Sequence, residues 1–259
     1  MHRIISFFRY LSQVPSPQQA HSPFVTELLQ EVIRKPAPEV VRKVEAIRKP
    51  LLADKRTLVL MDYGAGPGGK GGGSRRAKVS QIARSSGCSP KKGQLLFQLC
   101  TYLQPKLAVE LGTNLGMSAL YQLQGMPMEG EFITIEGDPG LSGLARENIR
   151  RAGYEADFQI GPFEMVLPSL GFAEHSIDLV FIDGDHSHSP TLAYFHFFLP
   201  LIRDGGCIIF DDIHWSRGMT HAWKTIIKHA EVSVSVDLFQ SGLAFIRRDQ
   251  PKEEVSLWW

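Results

Sequence analysis

The chain has 259 residues, of which 43% are hydrophobic, 10% aromatic and 21% charged, with 24 Gly and 16 Pro; this composition excludes a disordered tail, a collagen and a coiled coil. Lys and Arg number 28 against 27 Asp and Glu, a formal charge of +1, so overall charge singles out neither nucleic acid nor a membrane surface as partner. Cys88, Cys100 and Cys207, an odd number without CxxC spacing, read as reduced thiols. No run approaches the roughly 18 apolar residues of a membrane span, the first residues lack a signal-peptide pattern, and a cytoplasmic protein is expected.

In chain order, Ser22 and Pro23 form an N-cap and first-turn pair, and Phe24, Leu28 and Val32 continue a helical face. A second helix is predicted over 39–48, a strand-like run over 57–63, a Gly-rich loop over 64–74 and a helix over 91–103. Residues 63–109 hold no Asp or Glu but eight Lys and Arg, among them Lys70, Arg75, Arg76 and Lys78. Two readings stay open for this basic loop (63–78): a solvated flexible segment, or a cradle for an anionic group. From Leu107 onward short apolar runs alternate with amphipathic stretches, the pattern of a parallel sheet wrapped by helices. Seven strands are predicted (107–112, 131–137, 156–161, 177–183, 206–212, 232–238 and 242–248), with helices over 117–124, 140–152, 162–170, 190–203 and 218–229. No helix separates the last two strands, which should form an antiparallel hairpin. The expected organisation is a mostly helical extension, 1–106, before an α/β domain, 107–259.

Ligands of such sheets bind at the carboxyl ends of the strands. The first strand ends in Glu110 and Gly112 and runs through Asn114 and Gly116 into a helix at Ser118. This GxxxG spacing lacks the GxGxxG and GK[ST] signatures of diphosphate sites. The second strand ends in Glu136, Gly137 and Asp138, where a carboxylate could accept two sugar hydroxyls. Asp183, Asp185, His186 and His188 follow the fourth strand, and Asp211, Asp212 and His214 the fifth.

ELGTNLGMS, TIEGD, VFIDGDH and FDDIHW, in this order over about 90–248, resemble the class I S-adenosylmethionine-dependent methyltransferases, closest to the small-molecule O-methyltransferases of the catechol type. The resemblance implies their Rossmann-like seven-stranded sheet and S-adenosylmethionine as cofactor. It places Glu110, Gly112, Asn114, Gly116 and Ser118 at the methionine end, Glu136 and Gly137 at the ribose, and Gly161, Pro162 and Phe163 at the adenine, with Asp183 alongside. It also matches Asp183, Asp211 and Asp212 to metal ligands, which would suit Mg²⁺. Two departures stand out: Asp212 occupies an Asn position, and His186 replaces the catalytic Lys. His186 then becomes the expected general base with a near-neutral pKa, and Asp183 and His214 its companions.

Elsewhere, His196 and Phe195, Phe197 and Phe198 are expected to pack in a helix, and Trp215 either to stack on substrate or to pack. Asp62, Gly64 and Gly66 resemble an element of bacterial methyltransferases that carry HSPF early, here 21–24. The expected partner is a small-molecule acceptor, with an anionic acceptor and an oligomer both open. The alternatives are a nucleic-acid methyltransferase using the basic stretch 70–92 and a catalytically silent cofactor-binding partner protein; a nicotinamide dehydrogenase is disfavoured by the missing GxGxxG.

Overall fold

The computed structural model describes residues 2–13, 22–62, 73–85 and 88–259. The chain opens on helix α1 (His2–Gln13), and then α2 (Pro23–Leu28), π-helical Leu29–Ile33 and α3 (Pro38–Ala53). Ser22 caps α2 as the sequence predicts, its Oγ accepting from Val25 N at 3.2 Å. Strands β1 (Thr57–Asp62) and β2 (Gly73–Lys78) pair antiparallel, from Thr57 opposite Lys78 to Asp62 opposite Gly73. The expected Gly-rich loop, with Gly64 and Gly66, lies outside the described residues up to residue 72. Gly73–Lys78, read as its continuation, is instead a strand; Gly-Ser-Arg-Arg has little strand preference and faces solvent, so pairing with β1 imposes the conformation. Helices α4 (Val79–Ser85) and α5 (Pro90–Leu103) follow.

The α/β part then runs β3 (Leu107–Leu111), α6 (Met117–Gly125), β4 (Glu131–Glu136), α7 (Pro139–Arg151), β5 (Asp157–Ile160), α8 (Phe163–Val166), β6 (Ile177–Ile182), α9 (His188–Phe198), β7 (Ile202–Asp211), α10 (Arg217–Lys228), β8 (Val234–Asp237), β9 (Ser241–Ile246) and β10 (Glu253–Ser256). Its mainly parallel strands with flanking helices are the architecture the sequence predicts. Eight strands are present instead of seven. The extra one, β10, is a four-residue edge strand too short and too acidic to show as a pattern, and it pairs parallel with β8. The helix expected over 190–203 stops earlier, because Ile202 and Arg203 already belong to β7.

Contacts divide the chain into two compact units. In Glu27–Gly171, β3, β4 and β5 are parallel neighbours, with α6 and α7 as crossovers. Helices α5 and α6 lie so close that a Cβ on Gly93 would stand 2.1 Å from the Tyr121 ring, and one on Gly125 2.4 Å from Phe97 O. Only glycine admits this approach. Because Tyr121 is buried and cannot swing away, Gly93→Ala should destabilise the protein by about 1–3 kcal/mol, read as a lower melting temperature with the same secondary structure. An unchanged melting temperature would show that the helices can part freely.

In the other unit, Met1–Thr26 with Phe172–Trp259, the strand order is β10-β8-β9-β7-β6. Strands β6 and β7 run parallel, and β8 and β9 form the expected antiparallel hairpin, with β9 against β7. Every residue of β6 is buried, as in a strand covered on both faces. Met219, Ala222, Trp223 and Ile226 form the buried face of α10. Phe195 and Phe198 are core residues as expected, whereas His196 is exposed: one step along α9 from Phe195, it is rotated out of the buried face and rests its ring near Phe195 and His229.

Candidate functional site

Within Glu27–Gly171 the loops after β3, β4 and β5 are tied to one residue. Glu136, last in β4, accepts from Asn114 N on Oε2 at 2.8 Å and from Asp138 N on Oε1 at 3.0 Å, while its carbonyl accepts from Gly161 N at 3.0 Å. Burial pushes the Glu136 pKa up, and these amide hydrogen bonds only partly offset it. The β3 loop is further pinned by Gly112 N on Ile135 O at 2.9 Å. Gly112, Asn114 and Gly116 all have positive φ, at 97°, 50° and 80°, so the loop coils tightly into α6. The buried Oδ1 of Asn114 has no hydrogen-bond partner among the described residues. Gly161, at φ 144°, turns the chain into Pro162 and the start of α8 at Phe163.

Glu110 is placed differently from a strand-end carboxylate. It is fully buried inside β3, its oxygens accepting from Gln122 Nε2 at 2.9 Å and Thr134 Oγ1 at 2.7 Å. Thr134 also bonds Thr113 Oγ1, so Glu110 anchors the frame beneath the loop. Ser118 is buried in the first turn of α6 and Gly137 is half-buried behind Glu136. Asp138, which the sequence shows only as a strand-end acid, has a structural role. Buried, it caps α7 through Leu141 N at 2.9 Å and holds Met61 N of β1 at 2.7 Å. Only the capping was legible, in the Asp-Pro start of the helix.

Within the unit containing Phe172–Trp259, the ends of β6 and β7 carry the acidic and imidazole groups. His186 Nε2 lies 3.4 Å from Asp183 Oδ1. Desolvation works against a charged His186, yet the Asp183 hydrogen bond and the charges of Asp183, Asp212 and Asp211 outweigh it and raise its pKa to about 9. This departs from the near-neutral value expected from sequence: the three carboxylates make imidazolium the stable form. Asp211 is buried and accepts from Ser241 Oγ at 3.4 Å, and Asp212 adopts a left-handed φ of 51° and accepts Trp215 N at 2.8 Å on its carbonyl. No three His, Cys, Asp or Glu side chains among the described residues are grouped to hold a metal ion. The charges of Asp183, Asp211 and Asp212 all act on His186.

His214 is drawn elsewhere. It is buried, with Nε2 2.7 Å from Asp237 Oδ2, Nδ1 3.4 Å from Thr220 Oγ1, and its ring stacked on Phe239 at 5.2 Å. Asp237 and Phe239 lie more than twenty residues on, where no sequence spacing signals the contact. Tyr10 of α1 also packs near His214; its phenol donates to Leu257 O, and burial together with the Asp237 charge raises its pKa. Trp215 is exposed, with the Arg3 guanidinium over its ring at 5.3 Å.

Residues 109–213 match a family model described as a methyltransferase domain. Curated relatives include a catechol O-methyltransferase of Niastella koreensis, 38% identical over 131 residues that cover 48% of this chain and 57% of that one. Another, a catechol O-methyltransferase of Mycobacterium tuberculosis, is 32% identical over 142 residues, covering 54% and 61%. The chain therefore spans about three fifths of the length of these relatives. An O-methyltransferase of Bacillus cereus, solved in complex with SAH, superposes with a TM-score of 0.54 at 17% identity, covering 91% of this chain and 98% of that one. A methyltransferase of Geobacter sulfurreducens gives 0.55 at 15%, covering 89% and 98%. Residues 109–213 of this chain are thus similar to a methyltransferase domain, and the relatives that match there are named O-methyltransferases.

Proposed function

We propose that this protein transfers a methyl group from S-adenosylmethionine to a hydroxyl oxygen of a small molecule. The observation that carries the reading is Glu136, a carboxylate at a strand end around which three loops are hung. Its half-buried oxygens suit two ribose hydroxyls. The positive-φ turn from Gly112 to Gly116 leaves backbone room beside it, and the unpartnered Asn114 Oδ1 suits an ammonium donor such as the methionine amine. Gly161 and Phe163 would border the adenine. Glu110 and Ser118 act from beneath, holding the frame of the β3 loop.

When bound, the cofactor supplies an electrophilic methyl on a sulfonium. The protein's own part is to align the reactants and to take a proton. His186 is suited to the proton transfer. In its neutral form, which with a pKa of about 9 becomes the major one only in alkaline solution, it accepts the acceptor's hydroxyl proton, and Asp183, Asp211 and Asp212 stabilise the imidazolium that results. His214, held by Asp237, keeps the segment after β7 in place. Small-molecule acceptors are the reading drawn from the catechol O-methyltransferase relatives.

Calorimetric titration with S-adenosylhomocysteine tests the cofactor half. Binding is expected in EDTA, with the same affinity when Mg²⁺ is added. No heat from folded protein in either buffer would remove the reading, and binding only with Mg²⁺ would restore the metal.

A further inference from the structure

Much of the exposed apolar surface of the unit containing Phe172–Trp259 gathers around α1. Ile4, Phe8 and Leu11, at helical i, i+4, i+7 spacing, are 64%, 65% and 37% exposed, and Trp215 and Trp258 are 55% and 62% exposed. Soluble proteins seldom leave such a group in water without a use for it. The helix itself is firmly seated by its other face: Phe7 packs on Phe239 and Trp258 at 5.0 and 6.5 Å, Tyr10 donates to Leu257 O, and His2 Nε2 meets Thr220 Oγ1 of α10 at 3.1 Å. The stripe is therefore not a poorly packed core face.

Charge identifies the occupant. Helices α1, α9 and α10 carry Arg3, Arg217, Lys224 and Lys228 and contain no Asp or Glu. On α10, Arg217, His221, Lys224 and Lys228 follow one exposed stripe at i, i+4, i+7, i+11. The seated face of α1 meets α10 where His2 bonds Thr220, next in sequence to His221 of the basic stripe, and Arg3 of α1 covers the exposed Trp215. Two copies facing each other across a two-fold axis would bring these basic stripes together at a cost. Apolar and aromatic side chains beside an acid-free basic row suit an anionic lipid surface, into which the former insert and to which the latter are attracted.

We infer that this face docks the protein peripherally on anionic phospholipid membranes, whichever reaction it performs. The test is cosedimentation of the full chain with phosphatidylcholine vesicles and with vesicles that also contain phosphatidylglycerol. Binding is expected only to the second kind and should be reversed by salt. Phe8→Ser with Leu11→Ser, and separately Lys224→Glu with Lys228→Glu, should each weaken it at least about tenfold, with circular dichroism unchanged. Absence of binding to the phosphatidylglycerol vesicles would overturn the inference, as would equal binding by the Phe8/Leu11 variant. A dimer in analytical ultracentrifugation that the Phe8/Leu11 variant dissolves would also overturn it, by assigning the face to a second copy.

Discussion

Replacing Glu136 with Ala is expected to weaken S-adenosylhomocysteine binding by about 10- to 100-fold, the range for losing charge-assisted hydrogen bonds. The loss has two sources. The ribose loses its acceptors, and the amides of Asn114 and Asp138 lose the oxygens that fix their loops. Glu136→Gln separates the two, since a neutral amide retains a single acceptor oxygen and should leave an intermediate affinity. The pH dependence carries a definite sign. Burial raises the Glu136 pKa, so affinity should start to fall at a higher pH than an ordinary glutamate would dictate, as the carboxylate is protonated. For stability of the free protein the sign is opposite. A carboxyl that holds its proton more tightly when folded contributes stability at low pH, and this is lost as pH rises through the unfolded and then the folded pKa. An Ala variant that binds as tightly as the parent would exclude Glu136 from the site.

His186→Ala should reduce turnover by about 100-fold or more, the scale of a lost general base, while calorimetry gives an unchanged affinity for S-adenosylhomocysteine. The two readouts are separable, because the charges that act on His186 are those of Asp183, Asp211 and Asp212, at the ends of β6 and β7 and away from the β3 and β4 loops in sequence. Asp183→Asn should give a smaller loss, since Asp211 and Asp212 still favour the imidazolium. Equal losses of turnover and affinity in the His186 variant would make the residue structural, and full activity would send the search for the base to another group.

The legible part of this fold is the part whose physics is local. Buried parallel strands must be continuous apolar runs, so β3, β6 and β7 stand out, and the acids and glycines at their ends mark the positions where side chains leave the sheet. Glu136 and the Asp183–His186 pair were found that way. Strand β2 was missed because four exposed polar residues become a strand only through a partner found across a gap, and β10 because an edge strand needs little apolar character. Hydrogen bonds between distant segments leave no periodicity. Asp237 beneath His214, Tyr10 beside it and Met61 on Asp138 belong to this class. The His186 pKa was misjudged for the same reason, since the charges of Asp211 and Asp212 reach it only once β6 and β7 are side by side.

Asp138 does three things at once: its amide holds Glu136, one oxygen starts α7, and the other holds Met61 of β1. A single residue thereby links the Glu136 carboxylate to a hairpin that shares no sheet with β4. Transient opening of that hairpin frees one oxygen of Asp138, while the other still caps α7 and the main-chain amide still holds Glu136. A ligand that occupies Glu136 and steadies the Asp138 segment is expected to slow hydrogen exchange at the Met61 amide, in a strand that contributes no residue to the proposed cofactor site.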